Sequence, residues 1–257
     1  MTGKRFIQED PHAVAQKAAS LLVDWAAQAV TQYGFFHVAL AGGGTPNALY
    51  RLLLSNPQRW HFPWPATHVY WGDERFLPPG DPGRNDSDVL PLLIKAGVPE
   101  SNIHPIPYQA PAQDMLPGPD EEARWRHMEQ AATRYEQELL RRSRPGKPLL
   151  DVVLLGLGSD GHTASLFPGT AALHETSRLV VPNRAAYEDR HPDRITLTLP
   201  AINGAGIVVF LVTGESKRNI VATVLGAPTD PPLPAQRVQP EQGALFWLMD
   251  QAAAGAS

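Results

Sequence analysis

The chain has 257 residues, no cysteine, and a net charge of −4 from 22 basic and 26 acidic side chains. That length can bury a sizeable core. The missing cysteines exclude a disulfide framework, a thiolate metal or iron–sulfur site and a thiol nucleophile. The mild acidity argues against a nucleic-acid binder but leaves room for a local basic pocket.

In chain order, Asp10-Pro11 is a helix cap followed by a proline suited to the first turn. Val14, Ala18, Leu21, Leu22, Trp25 and Ala29 then recur at helical spacing, and Gly34 can close the helix. Phe35 to Leu40 reads as a strand running into Gly42-Gly43-Gly44-Thr45-Pro46, with Thr45 as cap of a helix over Asn47 to Leu54. A second strand, Thr67 to Trp71, ends in Gly72-Asp73-Glu74-Arg75, and a proline- and glycine-rich loop follows to Arg84. Asp88 to Ala96 predicts a short helix, Ile103 to Ile106 a strand, and Met128, Ala132, Tyr135 and Leu139 the apolar stripe of a helix starting near Asp120.

Leu149 to Leu155 is a nearly continuous apolar run, as expected of a strand covered on both faces. Further strands are expected at Leu179 to Val181, Ile195 to Leu199, Ile207 to Val212 and Phe246 to Met249, with a proline-rich loop over Gly226 to Pro240. Three apolar strands, ending at Leu40, Leu155 and Val212, run into glycine loops expected to open helices. That pattern predicts an α/β protein with an open, mostly parallel sheet flanked by helices. No repeat or long linker divides the chain, so one domain over residues 1–257 is expected. No apolar run reaches the roughly 18 residues of a membrane helix, and the polar start lacks the apolar stretch of a signal peptide. A cytoplasmic protein without membrane contact is therefore expected.

In open α/β sheets, ligands sit beyond the carboxyl ends of the strands, so the polar residues of those loops are the first candidates. Gly43, Gly44 and Thr45 precede a helix, where unpaired N–H groups and the helix dipole favour a phosphate. The alternative there is a plain tight turn. No Gly-Lys-Ser/Thr follows, and the dinucleotide glycine spacing is incomplete. Asp73, Glu74 and Arg75 can supply a base, an orienting carboxylate and a phosphate clamp, or a surface ion cluster. His162 lies in Gly158-Ser159-Asp160-Gly161-His162, and histidine exchanges a proton near neutrality. Lys217 stands in an expected first helical turn, where a cation is unfavourable unless it meets an anion. Arg194 is a weaker candidate of the same kind. No tight histidine pair marks a metal site, and no Gly-x-Ser-x-Gly elbow marks a serine hydrolase.

Taken together, Gly42-Gly43-Gly44-Thr45-Pro46, Trp71-Gly72-Asp73-Glu74-Arg75, the run from Gly156 through His162 to Gly169, Arg194-Ile195-Thr196-Leu197-Thr198 and Gly214-Glu215-Ser216-Lys217 resemble the motif set of the 6-phosphogluconolactonase family. The resemblance implies a nucleotide-binding-like α/β fold, a phosphorylated sugar lactone as substrate, and no cofactor or metal. It implies His162 as general base, with Asp73 orienting it or the water. Gly43, Gly44, Thr45, Arg75, Asn85, Asp160, Gly161, Arg194 and Lys217 are implied as substrate contacts. Arg84 stands where the family usually has serine, and either an extra pocket cation or a solvated side chain would fit. The related glucosamine-6-phosphate deaminases follow their histidine with an Asn and a Glu for ring opening. Leu166 and Phe167 occupy those places here. A catalytically silent sugar-phosphate sensor would not need His162, and a monomer is the default.

Overall fold

The computed structural model describes residues 3–55, 60–108, 121–187 and 191–256. The polar start contains a strand that the sequence reading does not anticipate, β1 (Lys4–Gln8). It is a mostly exposed edge strand, pairing in parallel with the chain's final strand. Its apolar alternation is therefore too short to stand out. Helix α1 (Pro11–Tyr33) begins as expected. The Asp10 carboxylate accepts from the Ala13 N–H at 2.8 Å, and Gly34 closes the helix by donating to Val30 O.

The remaining elements are β2 (Phe36–Leu40), α2 (Gly44–Ser55), β3 (Thr67–Trp71), β4 (Asp73–Arg75), α3 (Leu90–Lys95), β5 (Ile103–His104), α4 (Glu121–Arg141), β6 (Val152–Leu155), β7 (Val180–Arg184), β8 (Asp193–Leu197), α5 (Leu199–Asn203), β9 (Ile207–Val212), α6 (Arg218–Leu225), β10 (Ala244–Asp250) and α7 (Gln251–Ala254). Seven strands form one parallel sheet in the order β1-β10-β9-β6-β2-β3-β5. Strands β2 and β6 are buried along their whole length, which explains the unbroken apolar run of β6 and the apolar run of β2, broken only by His37. No helix among the described residues is long and apolar enough to cross a membrane.

Several expectations need correction. Asp73–Arg75 are not a loop but strand β4, paired antiparallel with β8 in a second sheet ordered β4-β8-β7. The glycine loop after β6 opens no α-helix; it runs as turns to a short 3-10 turn at Ala171–His174. Helix α2 starts at Gly44, so Thr45 lies inside it rather than capping it. The strand predicted over Ile195 to Leu199 is shifted to Asp193–Leu197, and Leu199 opens α5. The start of α4 expected near Asp120 lies outside the described residues.

Three histidines pack on one face of the sheet, away from the glycine loops. His68 and His104 share a hydrogen bond at 3.1 Å, His37 lies edge-on to His68, and Glu138 of α4 approaches His104 at 3.2 Å. Burial lowers all three pKa values from 6.5 to about 4. Between those values the unfolded chain binds more protons than the folded one, so stability should fall as pH drops from about 6.5 towards 4. Glu74, which burial pushes up to about 7, opposes this as a single group. Thermal unfolding at pH 7 and pH 5 checks the balance. A midpoint that rises on acidification would contradict it.

Candidate active site

The strand order reverses between β2 and β6: from β2 the chain proceeds outward through β3 and β5, then returns to β6 on the other side. Loops leaving two such neighbouring strands diverge and leave a crevice. Here they are the glycine loop before α2 and the loop from Gly156 to His162. A cavity of about 310 Å³ occupies the crevice. Gly43, Gly44, Thr45, Asp73, Arg75, Asn85, His162, Arg194 and Lys217 all line it, although they come from six separate stretches of chain.

His162 is held from three sides. Its Nδ1 lies 2.6 Å from Asp160 Oδ1, and the same oxygen accepts the His162 backbone N–H at 3.0 Å. Burial disfavours charge on Asp160, but its hydrogen bonds with His162 outweigh this and hold the carboxyl below its ordinary range. An ionised carboxylate only accepts, so Nδ1 carries the proton and Nε2 keeps the lone pair in the neutral ring. The ring packs against Phe167 at 4.2 Å and Tyr187 at 4.6 Å between centroids. Behind it lies Gly158, where a Cβ would fall 2.0 Å from Nδ1. Only glycine leaves room for the ring in this position. Asp160 and Gly161 therefore stand behind the histidine rather than on the cavity wall.

Asp73 does not orient His162. Its Oδ2 accepts from the buried Ser165 hydroxyl at 2.6 Å, and its backbone carbonyl accepts from Asn85 Nδ2 at 2.8 Å. Asn85 in turn lies so close to Gly42 that a Cβ there would meet Asn85 Oδ1 at 1.9 Å. Arg84 is neither a pocket cation nor a solvated side chain. It is 4% exposed and pairs through two nitrogens with Asp86, with further bonds to Leu77 O and Ile106 O. A buried guanidinium must be paired in this way.

Among the described residues, three cations face the cavity against one carboxylate, Asp73. Arg75 Nη1 donates to Gly83 O at 2.6 Å, while its buried Nε has no protein acceptor among the described residues. Lys217 closes a 3-10 turn just ahead of α6, and its Nζ reaches Leu157 O at 2.7 Å. This places the ammonium across the end of β6. The Arg194 guanidinium lies 5.3 Å from the Phe167 ring centre. With the N-terminus of α2 alongside, the cavity is built for an anion.

Sequence reasoning missed two wall residues. Tyr187 hydrogen-bonds Ser159 Oγ at 2.9 Å, and the Thr213 hydroxyl meets that of Thr45 at 2.7 Å. Tyr187 lies in no glycine-rich segment, whereas Thr213 immediately follows β9 and opens the glycine loop that carries Lys217, a position that could have flagged it. Among the described residues no group of three or more acidic or histidine side chains is placed to hold a metal ion.

Fold and site together define an α/β protein with an anion-receiving cleft and a carboxylate-backed histidine at the switch point of its sheet. The family model for glucosamine-6-phosphate isomerases/6-phosphogluconolactonase matches residues 9–247, and the chain belongs to that family. A 6-phosphogluconolactonase of Nostoc sp. is 39% identical over 96% of this chain and 95% of its own length. One from Synechocystis sp. is 40% identical over 88% and 86%. The crystal structure of 6-phosphogluconolactonase from Leishmania guyanensis superposes with a TM-score of 0.80 at 28% identity, covering 98% of each chain.

Proposed function

We propose that this protein hydrolyses 6-phospho-D-glucono-1,5-lactone to 6-phospho-D-gluconate, the lactone-opening step of the oxidative pentose phosphate pathway, with His162 as general base. Relatives bearing the 6-phosphogluconolactonase name align along nearly the whole chain, which supports the activity. The observation that carries the mechanism is the Asp160–His162 pair on the wall of a cavity that also presents Arg75, Arg194 and Lys217.

In this mechanism Nε2 takes a proton from water as the water oxygen attacks the lactone carbonyl. Negative charge develops on the carbonyl oxygen, where backbone N–H groups of the glycine loops stabilise it. On collapse the imidazolium returns the proton to the ring oxygen, which leaves as a hydroxyl. Asp160 stabilises the imidazolium between the two transfers. Arg75 and Lys217, with Gly43, Gly44 and Thr45, hold the phosphate, and Arg194 and Asn85 complete the binding surface. Asp73, fixed by Ser165 and Asn85, positions the water or a sugar hydroxyl. The chemistry needs no metal, so exhaustive chelation should leave turnover unchanged. A loss restored by one divalent ion would contradict that.

The family also contains glucosamine-6-phosphate isomerases, whose aldose–ketose chemistry needs a second acid–base group beside the histidine. Here the position that carries the deaminases' glutamate holds Phe167, 4% exposed and unable to carry a proton. A lactonase assay with glucosamine 6-phosphate as the control substrate decides between the readings. Lactone opening above the spontaneous rate, without release of ammonia from the amino sugar, is expected. The reverse pattern would overturn the assignment. We further take the protein to work as a single-domain cytoplasmic monomer without nucleic-acid partners. Light scattering tests the oligomeric state.

Lys217→Ala tests the phosphate assignment. A hydrogen bond to a charged group contributes about 1.5–3 kcal/mol, or roughly 10–150-fold. The variant should lose about that factor in kcat/KM on the phosphorylated lactone and much less on glucono-1,5-lactone. Equal losses on both would remove Lys217 from the phosphate site.

A further inference from the structure

Three of the cavity residues, Asp73, Arg75 and Asn85, are sequence neighbours of a buried ionic cluster that never touches the cavity. Its centre is Glu74, 1% exposed. One oxygen, Oε1, accepts the backbone N–H of Arg75 at 2.8 Å and that of Asn85 at 2.7 Å. The other, Oε2, accepts the N–H of Asp86 at 3.0 Å. Arg84 Nη2 lies 3.9 Å from Oε2 while bonding Asp86.

The consequence is geometric. Along β4, side chains alternate, so Asp73 and Arg75 turn towards the cavity while Glu74 turns inward between them. In the 84–86 segment the order repeats: Arg84 and Asp86 point inward and Asn85 reaches the cavity. The two segments are eleven residues apart in sequence, counted from Glu74 to Asn85. No regular ladder joins them. The Glu74 carboxylate holds two backbone N–H groups of the 84–86 segment, beside the side-chain bonds of Asn85 to Asp73 O and of Arg75 to Gly83 O.

We propose that Glu74 is a positioning residue for substrate binding: by clasping the backbone of residues 84–86 against β4, it sets Asn85 and Arg75 in the geometry that receives the phosphorylated substrate. This rests on the substrate assignment above. Glu74 does not reach the reacting atoms, and the Asp160–His162 pair belongs to a different segment. Loss of the clasp should therefore act on binding and spare the chemical step.

Glu74→Gln, assayed above the pH of about 7 at which Glu74 ionises, tests this because the shape is kept while one oxygen becomes an NH₂ group. All three backbone partners are donors, so one of them must then face another donor. KM for 6-phosphoglucono-1,5-lactone should rise by about tenfold or more, with kcat within about threefold of wild type. Asp86→Asn disturbs the same ionic cluster but leaves every backbone donor to Glu74 in place. It should lower the melting temperature with little change in KM. Normal KM in folded Glu74→Gln, or parallel KM changes in both variants, would overturn the proposal and leave Glu74 a stability residue only.

Two further measurements keep the outcome clear. Calorimetric binding of 6-phosphogluconate to wild type and Glu74→Gln needs no turnover. It still reads the clasp if the wild type fails to open the lactone, a result that would sink the substrate assignment alone. Amide hydrogen exchange on the wild-type chain needs no substitution. The N–H groups of Asn85 and Asp86 should exchange as slowly as strand amides, and fast exchange there would overturn the proposal even if the variants do not fold.

Discussion

Replacing His162 by Asn should cut lactone turnover by about 10²–10⁴-fold, the usual worth of a positioned general base. Asparagine keeps a polar side chain of similar reach but has no lone pair basic enough to accept a proton near neutrality. Phosphate recognition lies on other segments, so binding of 6-phosphogluconate and the thermal midpoint should persist. The wild-type rate should also fall on acidification, because protonating the imidazole removes the base. Spontaneous hydrolysis of the lactone rises with pH and must be subtracted before the profile is read. An Asn variant with near-normal turnover after that subtraction would sink the mechanism. Asp73, the one carboxylate on the cavity wall among the described residues, would then be the remaining base.

The glycine loops at the ends of β2 and β6 were legible in the sequence because their chemistry is local. Glycines, a threonine, a histidine and an aspartate sit beside apolar strands, and strand ends are where α/β sheets present ligands. The same reasoning found β2, β3, β6 and β9 within a few residues, since burial leaves these strands mostly apolar. It missed β1, whose edge position exposes most of its side chains. It also mistook β4 for a loop, because three residues carrying two acids and an arginine have no strand pattern of their own. Their conformation comes from pairing with β8, some 120 residues later.

The partner of His162 was the least accessible detail. The family resemblance pointed to Asp73 as the group orienting His162 or the water and to Asp160 as a substrate contact, whereas the partner of Nδ1 is Asp160. What decides between them is side-chain direction. Ser165 draws one oxygen of Asp73 away, while Asp160, two residues before the histidine, folds back onto Nδ1. Arg84 illustrates the same limit. Its burial depends on Asp86 next door and on carbonyls at Leu77 and Ile106, and the latter is a long-range contact that no local pattern announces.

The Asp160–His162 contact has an unusual feature that makes a paired substitution informative. A single oxygen, Oδ1, accepts both the ring Nδ1–H and the backbone N–H of His162. Asn at position 160 can present its carbonyl oxygen in the same place, so the ring orientation and tautomer should survive while the negative charge is lost. Ala removes both. Asp160→Ala should therefore lower turnover by up to about 10⁴-fold, the loss expected when a catalytic histidine is left free to take the wrong tautomer. Asp160→Asn should lose less, because it keeps the ring in place and removes only the anion that stabilises the imidazolium. Side-by-side turnover of the wild type and both variants checks this. Near-wild-type turnover in Asp160→Asn beside a large loss in Asp160→Ala would mean that Asp160 acts only as an anchor and that its charge takes no part in the proton transfers.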